Sequence, residues 1–476
     1  MSDFVMQLFK NFDSLTSQDP SGTRKRLLTA LNYGIDSGQP GRLLERSLRM
    51  DKYTISCGSA CYDLLDRFDR VMFVSFGKGS LGMALKFEEM ACEAGIPYVG
   101  GMAVVPVGTG KGTKTRNMQI AEGDHPHPGW NSLKAAYRVI EFLGNADRRT
   151  LVIAGISGGA SAMLEIPHDE ISFGEYVAMN KLLLRSGANI NQINSVRKHL
   201  SKLKGGQLIG YANGATFQSL IISDVIGDDI GSIGSGATAP DETTFKDAVN
   251  VIDEFSLRDK ASKSIITRLD EGAKGMRVET PKESDPIFKN VHNMLIGNNE
   301  HVCLQMKAWV EDMYPQYEVR YLGSEWQSDV GIMSAQIAQI AASISKQLRK
   351  SSDKKEVVAI FGGEATVKIG EDVIGKETRG GRNQHAALMV NNKLKGLEGV
   401  YVTFCASDGR DYTNDAGGIA DPIAYSKAKE LKLDLDDYLM NYRSGDALEK
   451  MGALLTTDGP TGTNLMDIGI AVFRRA

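Results

Sequence analysis

The residues best suited to chemistry sit where short apolar runs end. In "FVSFGKGSLGMA", residues 73–84, the run stops at Gly77 and Lys78 follows. A lysine flanked by glycines can meet an anion through its ammonium or through bare backbone N–H groups. The standard phosphate loop, G-x-x-x-x-G-K-[ST], is not met, because a single Gly precedes this Lys. A solvated charge at a strand end is the competing reading. In "AGISGGASAML" a run leads into Ser157, Gly158, Gly159, Ala160 and Ser161. Consecutive N–H groups and two hydroxyls suit an anion, while tight strand–helix packing alone would also use the glycines. In "SDVIGDDIGSIGSGATAPD", Asp224, Asp228 and Asp229 crowd a strand end. Hard carboxylates suit Mg²⁺, with helix capping as the alternative. Downstream, Gly236 and Thr238 offer a second phosphate cradle.

Three further stretches add charge. "NSVRKHLSKLKGGQL" carries Arg197, Lys198, His199, Lys202 and Lys204 on a helical stretch, which would lend positive field to an anion pocket. His199 reads as a structural or solvated residue rather than a catalytic one. In "GGRNQHAALM", Arg382 and Asn383 open a helix. An arginine at the positive end of a helix dipole is poorly placed as a surface charge, whereas its fork matches a carboxylate or phosphate. Asp408, Asp411 and Asp415 follow another run, and Thr461, Thr463, Asn464 and Asp467 lie in a last Gly-rich turn. Phosphate-friendly turns, clustered carboxylates and isolated cations together fit phosphoryl transfer, which rests on positioning and charge neutralisation.

Such residues need strands behind them, since ligands of open α/β sheets bind at the carboxyl ends of strands. "RVMFVSFGKG", "RTLVIAGISGG", "FQSLIISDVIGDD", "VHNMLIGNN", "KEVVAIFGGEA" and "GVYVTFCASDG" share one pattern: a few β-formers closed by Gly, Ser, Asp or Asn. Helix-length stretches lie between them. "SDVGIMSAQIAQIAASISKQLRK" opens with Ser and Asp and closes with Lys and Arg, in agreement with the helix dipole. The alternation predicts an α/β protein of two three-layer α/β/α domains with mostly parallel sheets. The polar stretch "GMRVETPKESDPIFKN" places the boundary near residue 285, giving a Rossmann-like domain over 1–285 and a second α/β domain over 286–476.

The 476 residues suit two domains, and a net charge of −4 argues against a nucleic-acid-coating surface. No run approaches the roughly 18 apolar residues that span a bilayer. The N-terminal "MSDFVMQLFKNFDSL" lacks the basic start and apolar core of a signal peptide. Cys57, Cys61, Cys92, Cys303 and Cys405 are odd in number and read as reduced thiols. The expected location is the cytoplasm, with small-molecule ligands and neither nucleic acid nor membrane as partner. A homodimer is compatible with this reading, which does not fix the oligomeric state.

Nine segments in order resemble the glycerate 2-kinases with a C-terminal MOFRL domain, a family often labelled hydroxypyruvate reductase. They are "GKGSLGMA", "GDHPHP", "SGGASAML", "NSVRKHLSKLKGGQL", "SDVIGDDIGSIGSGATAPD", "GGEATV", "GGRNQHAAL", "SDGRDYTNDAGG" and "GPTGTNLMDIGI". The resemblance implies an active site in the cleft between two domains, the second of MOFRL type. It implies ATP- and Mg²⁺-dependent phosphorylation of D-glycerate at its 2-hydroxyl. Lys78 and Arg382 match family motif positions thought to lie in the active site. The acceptor carboxylate would rest on backbone N–H groups from Ser157 to Ser161, with Mg²⁺ on Asp224 or Asp228. The chain departs from the family pattern at Ala160, Ala237 and Tyr412. A four-carbon sugar acid is the alternative acceptor. An NAD(P)H-dependent reductase is the alternative reaction, but Gly108, Gly110 and Gly112 have the wrong spacing for a dinucleotide fingerprint.

Overall fold

A computed structural model describes residues 7–350, 356–370, 378–411 and 415–475, so Tyr412 lies outside the described residues. The chain forms two compact units, Pro40–Ile296, and Met1–Gln39 together with Gly297–Ala476. The boundary expected near 285 therefore moves to 296, and the first 39 residues belong with the C-terminal unit rather than with residues 40–285. Burial supplies the reason. Helix Thr23–Ser37 buries Leu27, Leu28, Leu31 and Ile35, and its Arg24 is fully buried against Asp421 at 2.6 Å.

In the unit Pro40–Ile296, three short strands, β1 (Leu48–Met50), β2 (Thr54–Cys57) and β3 (Ala60–Asp63), form an antiparallel meander. The main sheet contains β4 (Arg70–Phe76), β5 (Tyr98–Pro106), β6 (Met118–Gly123), β7 (Thr150–Ile156), β8 (Thr216–Ile222) and β9 (Val291–Gly297). Its order is β6-β5-β4-β7-β8-β9, and every pair from β6 to β8 is parallel. β7 and β8 are buried along their whole length, as continuous apolar runs in a covered parallel sheet should be. Helix Ser80–Ala94 packs on β4, β5 and β7, and helix Trp130–Leu143 packs on β5 and β6. A second core joins helices Phe173–Arg185, Ile190–Leu200, Phe245–Glu254 and Lys263–Ala273 through Tyr176, Leu183, Val196, Phe245 and Leu269.

The other unit holds β10 (Glu318–Tyr321), β11 (Val357–Gly363), β12 (Val400–Ala406), β13 (Asp415–Ala420), β14 (Leu454–Thr456) and β15 (Asp467–Phe473). The order is β10-β11-β15-β12-β13-β14. Only β10–β11 is parallel and the four other pairs are antiparallel. The parallel expectation thus holds for the first sheet and is corrected for this one. Two connections explain it. Residues 407–414, between β12 and β13, are too few for a parallel crossover. The terminal run, its first residue Asp467 expected in a turn, becomes β15 and inserts between β11 and β12, antiparallel to both. Helices Thr23–Ser37 and Asn299–Met313 pack together and on β15, and helices Val330–Lys350 and Arg382–Leu394 pack together and on β15 and β12 respectively. Among the described residues no helix is long and apolar enough to cross a membrane.

Candidate active site

The sheet of the unit Pro40–Ile296 reverses its build direction between β4 and β7. From β4 the chain steps outward to β5 and β6, then returns to the other side of β4 with β7 and β8. Ligands of doubly wound sheets bind at such a switch, outside the carboxyl ends of the strands. Lys78 follows β4 and Ser157 follows β7, so both stand at that point. The two turns are tied together. Lys78 N–H donates to Gly158 O at 2.8 Å, and Gly79 N–H donates to Ser157 Oγ at 2.9 Å. Ser157 is buried and spends its hydroxyl acceptor on this tie rather than on open solvent.

Gly158 and Gly159 allow close approach from three sides. A Cβ at Gly158 would meet Asp224 Oδ2 at 1.8 Å. A Cβ at Gly159 would meet His125 Cδ2 at 2.9 Å and Lys78 Cγ at 3.3 Å, and its φ of +83° is left-handed. Lys78, His125 and Asp224 therefore surround one glycine turn. Lys78 pairs with no carboxylate among the described residues. Burial, with Lys78 and His127 nearby, pushes His125 down to about 4, so its imidazole is neutral at pH 7. Asp229 is spent inside its own turn, accepting from Gly231 N–H at 2.9 Å and Ser232 Oγ at 2.6 Å.

The basic stretch is largely neutralised from within. Lys198 pairs with Asp241 at 3.2 Å, Lys202 with Asp169 at 2.5 Å and Lys204 with Glu165 at 2.6 Å. Buried His199 sets Nδ1 2.6 Å from Ser195 O and Nε2 2.7 Å from Glu279, agreeing with the structural reading. Arg197 alone of these cations pairs with no carboxylate among the described residues, which corrects the picture of a broad positive field. Ser161 and Ser235 hydroxyls lie 2.7 Å apart, and Lys204 Nζ donates to Ser161 O at 2.7 Å.

Two expected ligand contacts are corrected. Thr238 is buried, with its hydroxyl accepting from Ser219 at 3.0 Å and donating to Asn293 at 2.8 Å. Gly236, with φ +64°, closes an internal turn whose carbonyl accepts from Gly206 N–H. Both hold up the loop rather than face a ligand.

In the other unit Arg382 opens helix Arg382–Leu394 as expected, but the dipole conflict is answered inside the chain. Asp411 accepts from the backbone N–H groups of Asn383 at 3.1 Å and Gln384 at 2.8 Å. Arg382 donates to Asp467 at 2.5 and 3.1 Å and contacts Glu364 at 2.9 Å. Three of its five N–H donors are thereby engaged, leaving two for a ligand. Asn383 is buried and gives its side-chain amide to Asp411 at 3.2 Å and Asp467 at 2.8 Å. It positions these carboxylates and has no donor left for phosphate. Burial pushes Asp467 up to about 7, against the pull of Arg382.

Sequence reasoning passed over His125, Asn194, Ser235 and Glu364 as individual residues. "GDHPHP" held the signal for His125, but "MQIAEG" before it is too polar to read as the strand that positions it. Burial pushes Cys57 up to about 11 and Cys303 up to about 12, so neither of these thiols is an activated nucleophile.

Residues 26–270 match a domain of unknown function, DUF4147, and residues 357–467 match the MOFRL family. Glycerate 2-kinase of Pyrococcus horikoshii is 36% identical, covering 85% of this chain and 87% of its own length. D-glycerate 2-kinase of Thermotoga maritima is 32% identical over 95% of this chain and 99% of its own. The crystal structure of glycerate kinase from Thermotoga maritima aligns with a TM-score of 0.80 at 29% identity, covering 97% of this chain and 100% of that one. The chain belongs to the glycerate 2-kinase family, with a DUF4147 domain followed by a MOFRL domain.

Proposed function

We propose that this chain transfers the γ-phosphoryl group of ATP to the 2-hydroxyl of D-glycerate, giving 2-phosphoglycerate and ADP. The observation that supports it most is the meeting of Lys78, Asp224 and the Ser157–Gly158–Gly159 turn at the switch between β4 and β7. In the step, the 2-hydroxyl oxygen forms a bond to the γ-phosphorus and the bond from that phosphorus to the bridging oxygen of ADP breaks. The hydroxyl proton leaves to a carboxylate or to solvent. Lys78 offers an uncompensated cation to the equatorial oxygens, whose charge spreads in the transition state. The missing side chains at Gly158 and Gly159 let Asp224, His125 and Lys78 close in on the backbone of this turn. Arg382, oriented by Asp467 and Glu364, keeps two donors for an anion.

Asp224 and Asp228 are the residues we assign to Mg²⁺. Hard carboxylates are the donors that Mg²⁺ takes, one or two at a time together with phosphate oxygens. When bound, the ion would neutralise phosphate charge. A cytoplasmic location is part of this reading, and the five free thiols and the need for ATP suit it. The glycine stretch does not support the reductase. Residues 107–117, which hold the three glycines, run from β5 into β6, not into a helix that could receive a pyrophosphate.

The test is ADP release with a panel of three- and four-carbon hydroxy acids, with and without chelator, for wild type and Lys78→Met. D-Glycerate should be the preferred acceptor and the product should carry phosphate on its 2-oxygen. Lys78→Met should lower turnover about 100-fold or more with an unchanged melting temperature. Wild-type rates in the variant would remove Lys78 from the site.

A further inference from the structure

Two buried donors on successive turns of helix Ile190–Leu200 have no hydrogen-bond partner: Nδ2 of Asn194 and Nε of Arg197. Three residues apart, they share a helix face. Asn194 is only 3% exposed, and a buried donor left unpaired is costly enough to require an explanation. Arg197 is half-buried and pairs with no carboxylate among the described residues. Burying a lone cation is also unfavourable unless an anion arrives.

The surroundings leave the amide nitrogen of Asn194 unpaired. Ser235 Oγ donates to Asn194 Oδ1 at 3.1 Å, so the hydroxyl of Ser161, 2.7 Å from Ser235, must donate to Ser235. This two-hydroxyl relay occupies the amide oxygen and leaves the amide nitrogen as the free end. Ser235 holds a left-handed φ of +56° to do so, a conformation that a non-glycine residue adopts at some strain. Asn191 and Ser232 fasten the same loop to the same helix at 3.1 Å. Lys204 sits beneath Ser161, but Glu165 cancels its charge, so the positive charge of this cluster comes from Arg197.

We infer that Asn194 and Arg197 form the receptor for the acceptor's carboxylate, with Ser161 and Ser235 positioning Asn194, and that this pair selects hydroxy acids over neutral polyols. A carboxylate accepts hydrogen bonds through two coplanar oxygens, which one amide N–H and the guanidinium fork can share. Nucleotide phosphate is the other anion in the reaction. The assignment to the acid rests on position: Asn194 and Arg197 belong to a helix that bears on the loop around Ser235, whereas Lys78 and Asp224 pack against the glycine turn to which the phosphoryl group is assigned.

The inference rests on the kinase reading, and the experiment separates the two. ADP release is measured for wild type, Asn194→Asp and Arg197→Gln, varying D-glycerate and ATP separately, with glyceramide as the uncharged isostere of the acid. Asn194→Asp keeps the side-chain shape and exchanges a donor for a like charge. It should raise KM for D-glycerate about 30-fold or more while KM for ATP stays within about threefold. The preference for glycerate over glyceramide should fall about tenfold or more in both variants. Arg197→Gln reads out the same subsite if Asn194→Asp does not fold. An unchanged KM for D-glycerate, or a rise confined to ATP, overturns the inference. Calorimetry with D-glycerate alone covers the remaining case. If wild type binds the acid without releasing ADP, and Asn194→Asp does not bind it, the receptor stands and the kinase reading falls. If wild type neither binds nor phosphorylates it, both fall.

Discussion

Gly158→Ala tests the centre of the proposed site with a single methyl group. The added Cβ would lie 1.8 Å from Asp224 Oδ2 and 2.2 Å from its Cγ. Non-bonded heavy atoms settle near 3.5 Å, so the carboxylate must retreat by about 1.5 Å. The backbone at 158 is not left-handed, so alanine adds no φ strain there, unlike alanine at Gly159 with its φ of +83°. The stability loss should stay in the overpacking range of about 1–3 kcal/mol. The rate should suffer more, because a misplacement near 1 Å lowers catalysis about 100-fold, equivalent to about 2.7 kcal/mol of barrier. The assay is kcat/KM for ADP release with D-glycerate, alongside a urea melt to show that the fold persists. A variant within about threefold of wild type would mean that Asp224 stands away from the reacting groups, and the assignment of that residue would fail.

Two further predictions concern stability. Asp421→Asn strands Arg24 without its counter-charge in a fully buried position, and should lower unfolding free energy by about 3–5 kcal/mol in urea titrations. A loss below about 1 kcal/mol would show that the pair is not what fastens the N-terminal helix. His385, buried beside Ser444 Oγ at 2.8 Å, is pushed by burial from 6.5 down to about 4. Its folded value lies below its unfolded one, so its stabilising share is present above pH 6.5 and is lost as pH falls from 6.5 through 4. The loss is at most about 3 kcal/mol, and His385→Gln should flatten the pH dependence of the urea midpoint across that window by the same amount.

The sequence by itself determined the elements and the kinds of residue at their ends. Six apolar runs closed by small polar residues become β4, β7, β8, β9, β11 and β12; except for the half-exposed β9, continuous hydrophobicity of that length suits strands covered on both faces. Lys78, Ser157 and Asp224 were legible as site candidates for the same reason, since parallel strands deliver their carboxyl ends to one edge. Pairing partners were not legible. Asn383 read as a phosphate ligand until Asp411 and Asp467 appeared beside it, and Thr238 until Ser219 and Asn293 did. An ion pair or a hydroxyl relay joins residues tens to hundreds of positions apart, and no local pattern encodes which carboxylate arrives. The same holds for the helix Thr23–Ser37, whose apolar stripe says that it must be covered but not by which sheet, and for the terminal run that becomes β15. Only the folded chain, by fixing strand order, decided that Arg197 and Asn194 would be left with donors to offer while the lysines around them were neutralised.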